Sequence, residues 1–194
     1  LSVHRILKSL EHLSRYAIFV ILIIAFPPSR LYAAQPDPLR AGESFPGLSA
    51  KTLTGKSLEL PAAALGKPAV LLFSFSRAAG KDAHLWKERL ARDFSNAVPA
   101  YDVVVLESLP KLFRGLALSG IRSGMPLSMQ DRTIVLYQDE KLWRTRLAAS
   151  DNNRAYVVLL APDGHLRWSN AAACTASEYA RLKNQIDLLL QLHP

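Results

Sequence analysis

Chemistry in this chain would have to come from a few residues. The first candidates lie in "FSFSRAAGKDAHLW", between an apolar run and a helical period: Ser76, Arg77, Ala78, Ala79, Gly80 and Lys81. Backbone N–H groups at the start of a helix can hold an anion or a peptide segment there, and Arg77 and Lys81 would favour acidic groups. The plainer reading is a strand-to-helix connection in which Gly80 supplies backbone freedom. Ser76 as a nucleophile lacks both a G-x-S-x-G setting and an accompanying His/Asp set. The second candidate is Cys174, the one cysteine, in "AAACTASE". A helix beginning at Thr175 could lower its pKa and make it a thiolate. A small cysteine among alanines reads more simply as a buried, inert residue. One cysteine forms no intrachain disulfide, and His84, His165 and His193 show no ligand spacing. No metal site is drawn and no cofactor is expected.

The elements that must position these residues can be read from periodicity. "FPGLSAKTLTGKSLEL" reads as two short strands around Thr54-Gly55, and Ala69 to Phe75 as a central strand covered on both faces. From Asp82 to Ala97 the period becomes helical, with Leu85, Trp86, Leu90, Phe94 and Ala97 inward and Lys87, Glu88, Arg89 and Arg92 outward. "YDVVVLES" is the next buried strand. Leu109, Leu112, Phe113, Leu116 and Ile121 then repeat at helical spacing, basic on the other side. A crossover helix packed on the sheet fits this pattern best. The alternative is a helix lying on a membrane or holding a hydrophobic partner. "TIVLYQ" is a strand, and Asp139 to Ala149 a helix with Leu142, Trp143 and Leu147 inward. "RAYVVLLAPDGHLRWSN" is a hairpin turning at Pro162-Asp163-Gly164. Thr175 and Glu178 form a capping box for a last helix whose stripe is Tyr179, Leu182, Ile186 and Leu189. Trp86 and Trp143 read as core, Trp168 beside Arg167 as partly exposed, and Asp151 to Arg154 as a polar turn.

The first 34 residues differ from the rest. Arg5, Lys8 and Arg15 precede the apolar run "AIFVILIIAF", and small residues follow at Ala33 and Ala34. This is signal-peptide anatomy, with an uncleaved anchor through residues 16–33 as the alternative. An exported, periplasmic location is expected. Residues 35–41 read as a linker and 42–194 as one α/β domain. Beyond residue 34 there are twenty basic against fifteen acidic side chains, a net of +5. With no basic run or aromatic platform, nucleic acid is not an expected partner. An anionic membrane surface or an acidic protein partner suits the sign.

The order hairpin, βαβ, α, βα, hairpin, α, with "PAVLLFSFS" early and "YVVLLAPDGHLRW" late, resembles thioredoxin-like proteins of the peroxiredoxin and exported thiol-reductase type over most of residues 42–190. The resemblance implies a mixed central sheet flanked by helices, with an N-terminal β-hairpin extension. Those families carry one or two cysteines where Ser76 to Lys81 stand, and a cis-proline where "SDNNRAYVV" stands. Both halves of the redox site are absent here. A narrower resemblance is to the mitochondrial ATP synthase assembly factors that act on the membrane-embedded subunit a (subunit 6) of Fo. It is carried by Phe73, Ser74, Phe75, Ser76 and Trp86, then Asn153, Tyr156, Val157, Leu159, Asp163, Leu166, Arg167 and Trp168, with Glu178 following. It implies a non-catalytic binding or assembly protein for a membrane-complex subunit. The expected contact residues are Ser76, Arg77, Gly80, Lys81, Asn153, Arg167 and Trp168. The rival is a thiol peroxidase or thiol-dependent oxidoreductase using Cys174.

Overall fold

A computed structural model describes residues 36–95 and 97–192. The expected leader or anchor, residues 1–34, and His193 lie outside them. Strands β1 (Leu48–Lys51) and β2 (Ser57–Leu60) pair antiparallel around Gly55, whose φ of +85° is the left-handed turn conformation that glycine adopts freely. The main sheet has the order β5-β4-β3-β6-β7: β3 (Ala69–Ser74), β4 (Ala100–Val105), β5 (Thr133–Leu136), β6 (Tyr156–Leu160) and β7 (Leu166–Asn170). β3, β4 and β5 run parallel, and β6 and β7 are antiparallel to their neighbours.

Every residue of β3 and β6 is buried, and alternation divides them between two cores. Val70, Leu72, Val157 and Leu159 face α1 (Arg77–Phe94) and the C-terminal helix (Ala176–Leu192), meeting Trp86, Leu90, Leu182 and Ile186. Leu71, Phe73, Val158 and Leu160 face the N-terminal hairpin and Trp143, with Phe45 stacked on the Trp143 ring. Residues 36–41 are partly docked: the Leu39 N–H donates to the Arg146 carbonyl at 2.8 Å, and Leu39 packs on the second core.

The structure changes several expectations. α1 begins at Arg77, five residues earlier than the period predicted, because the Ser76 hydroxyl caps it by accepting from the Ala79 N–H at 3.1 Å. The expected loop is therefore the helix's first turn. Ala79 and Ala83 extend the Trp86–Leu90–Phe94 stripe backwards, which turns Leu85 out to 48% exposure. Lys87, expected outside, is buried because it pairs with the buried Asp102 on β4.

After β4 comes α2 (Lys111–Ser123), then a single-turn α3 (Leu127–Gln130) that sequence period did not show. α2 has no buried residue, which corrects the expectation of a helix packed on the sheet: Leu112 is 85% and Leu116 75% exposed. α4 is shorter than expected, Glu140–Arg146, starting after the left-handed Asp139; it buries Trp143 and leaves Leu142 out. The last helix, α5 (Ala176–Leu192), has half of its capping box. Thr175 Oγ1 accepts from the Glu178 N–H at 3.2 Å, but the Glu178 side chain turns to Asn170 Nδ2 at 2.9 Å.

Candidate functional site: the N-terminus of α1 and the turn that faces it

Parallel strands end at the same edge of a sheet, and ligands usually meet an α/β fold there. Here that edge carries Ser76 after β3, Glu107 after β4, Glu140 after β5 and the Asp151–Arg154 turn before β6. Ser76 is not available as a reactive hydroxyl. Besides accepting from Ala79, its Oγ donates to the Asn152 carbonyl, which ties the start of α1 to the facing turn. That turn is closed on itself. The Asn153 N–H donates to Asp151 Oδ1 at 2.8 Å, Arg154 Nε lies 3.0 Å from Asp151 Oδ2, and the Tyr156 hydroxyl bridges the Asp151 N–H and carbonyl. The residue before β6 is the buried Ala155.

A second tie lies one and a half turns into α1. Asp82 Oδ2 accepts from the Ala155 N–H and its Oδ1 from the Cys174 N–H, both at 3.0 Å. Arg89 Nη1 donates to the Thr175 carbonyl at 3.1 Å. One carboxylate thus gathers α1, the β6 start and the approach to α5. Cys174, remote in sequence, is brought beside α1, about 9 Å along the axis from Ser76 at 1.5 Å per residue.

Although Cys174 directly precedes the cap of α5, its surroundings disfavour a thiolate. It is half-buried, and burial, reinforced by Asp82 and opposed by Arg89, pushes its thiol up to about 11. Among the described residues the Ser76 hydroxyl hydrogen-bonds to no histidine or carboxylate; His84 pairs with Glu88 at 3.2 Å and His165 with Asp163 at 3.3 Å. Among the described residues no group of three or more His, Cys, Asp or Glu could hold a metal ion.

The geometry does offer a binding surface. Arg77, Lys81 and Leu85, at i, i+4 and i+8, form one exposed stripe about 12 Å long on α1. Neither cation forms an ion pair with a described residue, and the exposed Asn153 lies on the facing turn. Arg167 and Trp168 are not part of this group. Trp168 pairs with Leu159, which pairs with Val70, so both sit four positions back from the Ser74 end of β3, roughly 13 Å away. Trp168 is half-buried against the α1/α5 core. Arg167 is exposed where the β6–β7 register shifts.

Sequence reasoning missed Asp82, Tyr156 as an anchor for the turn, and an ionic layer under Phe75. In that layer Arg144 lies 4.3 Å from the Phe75 ring centre and 2.8 Å from Glu140 Oε1. Glu140 Oε2 accepts from the Ser108 N–H. Burial opposes ionisation of Glu140, but the bonds from Arg144 and Ser108 hold its pKa below the usual carboxylate value. Asp82 opens the predicted helix as an ordinary acid, and only Tyr156, through the family pattern, carried any sequence signal.

The family described as ATP10 protein matches residues 27–189. No curated protein matches the sequence. Among solved structures, the thioredoxin domain of a thiol-disulfide oxidoreductase from Bacteroides vulgatus is 16% identical, with 76% of this chain and 99% of that one covered at a TM-score of 0.54. The exposed lipoprotein thioredoxin Etrx1 of Streptococcus pneumoniae is 14% identical, covering 73% and 99% at 0.52. BsSco, a member of the Sco family of cytochrome c oxidase assembly proteins, is 15% identical, covering 79% and 96% at 0.51. At these identities the likeness establishes the fold, which is thioredoxin-like.

Proposed function

The chain belongs to the ATP10 protein family, and from that premise we propose that it is a binding module that assists assembly of a membrane subunit, subunit a of Fo, into ATP synthase. The module works without thiol chemistry and acts on the exported side of the membrane, where the leader in residues 1–34 would deliver it. One observation carries the non-catalytic part. The hydroxyl of Ser76, at the point where a thioredoxin-like site needs a thiol, is consumed by the helix cap and the Asn152 carbonyl. The lone thiol of Cys174 is held protonated. What remains at that edge is the exposed Arg77–Lys81–Leu85 stripe, two cations and an apolar side chain suited to an amphipathic, acidic segment of a partner.

Cells lacking the chain test this reading. Assembled ATP synthase in their membranes, measured on native gels, is expected to fall, and the parent chain and Cys174→Ala are expected to restore it equally. Arg77→Glu with Lys81→Glu is expected to restore little. A wild-type content of ATP synthase in the deletion cells would overturn the assembly role. Rescue lost with Cys174→Ala alone, in a chain that still folds, would overturn the non-catalytic reading.

A further inference from the structure

A short amphipathic helix normally gains its stability by burying its apolar face against its own domain. α2 is attached the other way round. Arg114 donates to the carbonyls of Leu109 and Glu107, both at 2.9 Å, and Arg122 reaches across to the Leu53 carbonyl at 3.0 and 3.2 Å. Gln130 Nε2 donates to the carbonyls of Arg122 and Met125, at 3.3 and 3.2 Å. Polar tethers hold the helix, Leu118 and Ile121 are half-buried, and a face of three apolar side chains stays outside: Leu112 at 85%, Phe113 at 52% and Leu116 at 75% exposure. At 100° per residue these three fall within an arc of about 100°, with Lys111, Arg114 and Arg122 on the other side. Scattered exposed apolar residues are ordinary; a contiguous face of Leu112, Phe113 and Leu116 on a helix with no fully buried residue is not.

The charge pattern selects what covers this face. From Leu109 to Gln130 there is no acidic side chain and there are three basic ones, on a chain of net charge +8. All three cations lie within about one helix diameter, ~10 Å, of whatever meets the apolar arc, close to the Debye length at physiological salt. Leu and Phe on one side with Lys and Arg on the other is the pattern of a helix lying in the headgroup boundary of an anionic bilayer. We infer that α2 docks the domain on an anionic lipid surface, with Leu112, Phe113 and Leu116 entering the acyl boundary. This is a lipid contact separate from the α1 stripe, and it stands or falls independently of the assembly role.

The test uses the full chain in a Cys174→Ser background, so that the leader is common to every sample. A polarity-sensitive fluorophore is placed on Leu112→Cys, Leu116→Cys or, as a control on another exposed face, Leu85→Cys. Each is mixed with phosphatidylcholine vesicles, or with vesicles in which about one lipid in three is phosphatidylglycerol. The expected result is a blue shift, with at least about twofold quenching by acyl-chain nitroxides at 112 and 116 in the anionic vesicles. That response weakens in high salt, and position 85 stays unquenched. Labels at 112 and 116 that remain in water on anionic vesicles overturn the inference. So does equal quenching at all three positions. So does protection at 112 and 116 that appears only when a partner protein is added, since that would make the face a protein-docking surface.

Discussion

Asp82 offers the sharpest test of how this edge of the fold is held. Asp82→Ala removes the acceptor of two backbone N–H groups. Ala155 is 0% exposed, so its N–H would be left buried and unpaired, at about 1–3 kcal/mol. The half-buried Cys174 segment can recruit water, so its lost bond costs less, about 0.5–1.5 kcal/mol. The gain in helix propensity and the lost interaction with the α1 dipole are each a few tenths of a kcal/mol and of opposite sign. The expected loss is about 2–4 kcal/mol, a large part of a typical domain stability of about 5–15 kcal/mol. Asp82→Asn keeps one acceptor oxygen and should lose about half as much. Urea unfolding at neutral pH measures this, with Glu88→Ala as a surface control expected within a few tenths of a kcal/mol. A loss under about 0.5 kcal/mol for Asp82→Ala would refute the claim that this carboxylate gathers the three segments.

Further outcomes follow at Cys174 and at the Lys87–Asp102 pair. With its thiol raised from 9.0 to about 11, Cys174 holds about a hundredfold less thiolate at neutral pH than an ordinary cysteine; the greater nucleophilicity of a more basic thiolate offsets part of this, so alkylation of the folded chain should be about tenfold slower or more. Asp82→Asn, which removes a charge that raises this pKa, should speed it; alkylation as fast as free cysteine in the parent chain would revive the thiol-enzyme reading. On β4, Lys87→Met strands the buried Asp102 and should cost about 3–5 kcal/mol, most of it recovered by adding Asp102→Leu. Burial raises the Asp102 pKa above the ordinary 3.8 against the pull of Lys87 and Thr133, and Oδ1 has no partner. The folded chain therefore keeps that proton longer than the unfolded one. Its contribution is complete below pH 3.8 and is lost as pH rises through the folded value, a slope that Asp102→Asn should remove from the stability–pH curve.

Much of the framework could be read from sequence because its signals were local. The all-apolar β3 and β6, the Asp163-Gly164 turn and the Tyr179–Leu189 stripe each required one structure. The misreadings came from long-range partners. Lys87 looks like a solvent-facing residue until Asp102, fifteen positions on, is placed beneath it. α2 shows the period of a packed helix, and no local pattern reveals that Leu53 and Glu107 carbonyls hold it by its arginines. The resemblance makes Ser76 an expected contact residue. Its two hydrogen bonds show it to be the cap that fixes the stripe of Arg77 and Lys81, and Asp82, which organises the site, is an unremarkable acid in the sequence. Arg167 and Trp168 matched a family pattern, yet β-sheet register places them away from the α1 edge.

The claim that the α1 edge meets a membrane subunit of ATP synthase is tested most directly by crosslinking from that edge. A photoreactive side chain at Lys81 in the full chain, irradiated in native membranes, should give an adduct with the membrane subunit a identified by mass spectrometry. The same group at Glu59, on the hairpin of the opposite core, should give none. Adducts from position 81 that contain only other proteins, or subunit a captured equally from both positions, would contradict the account.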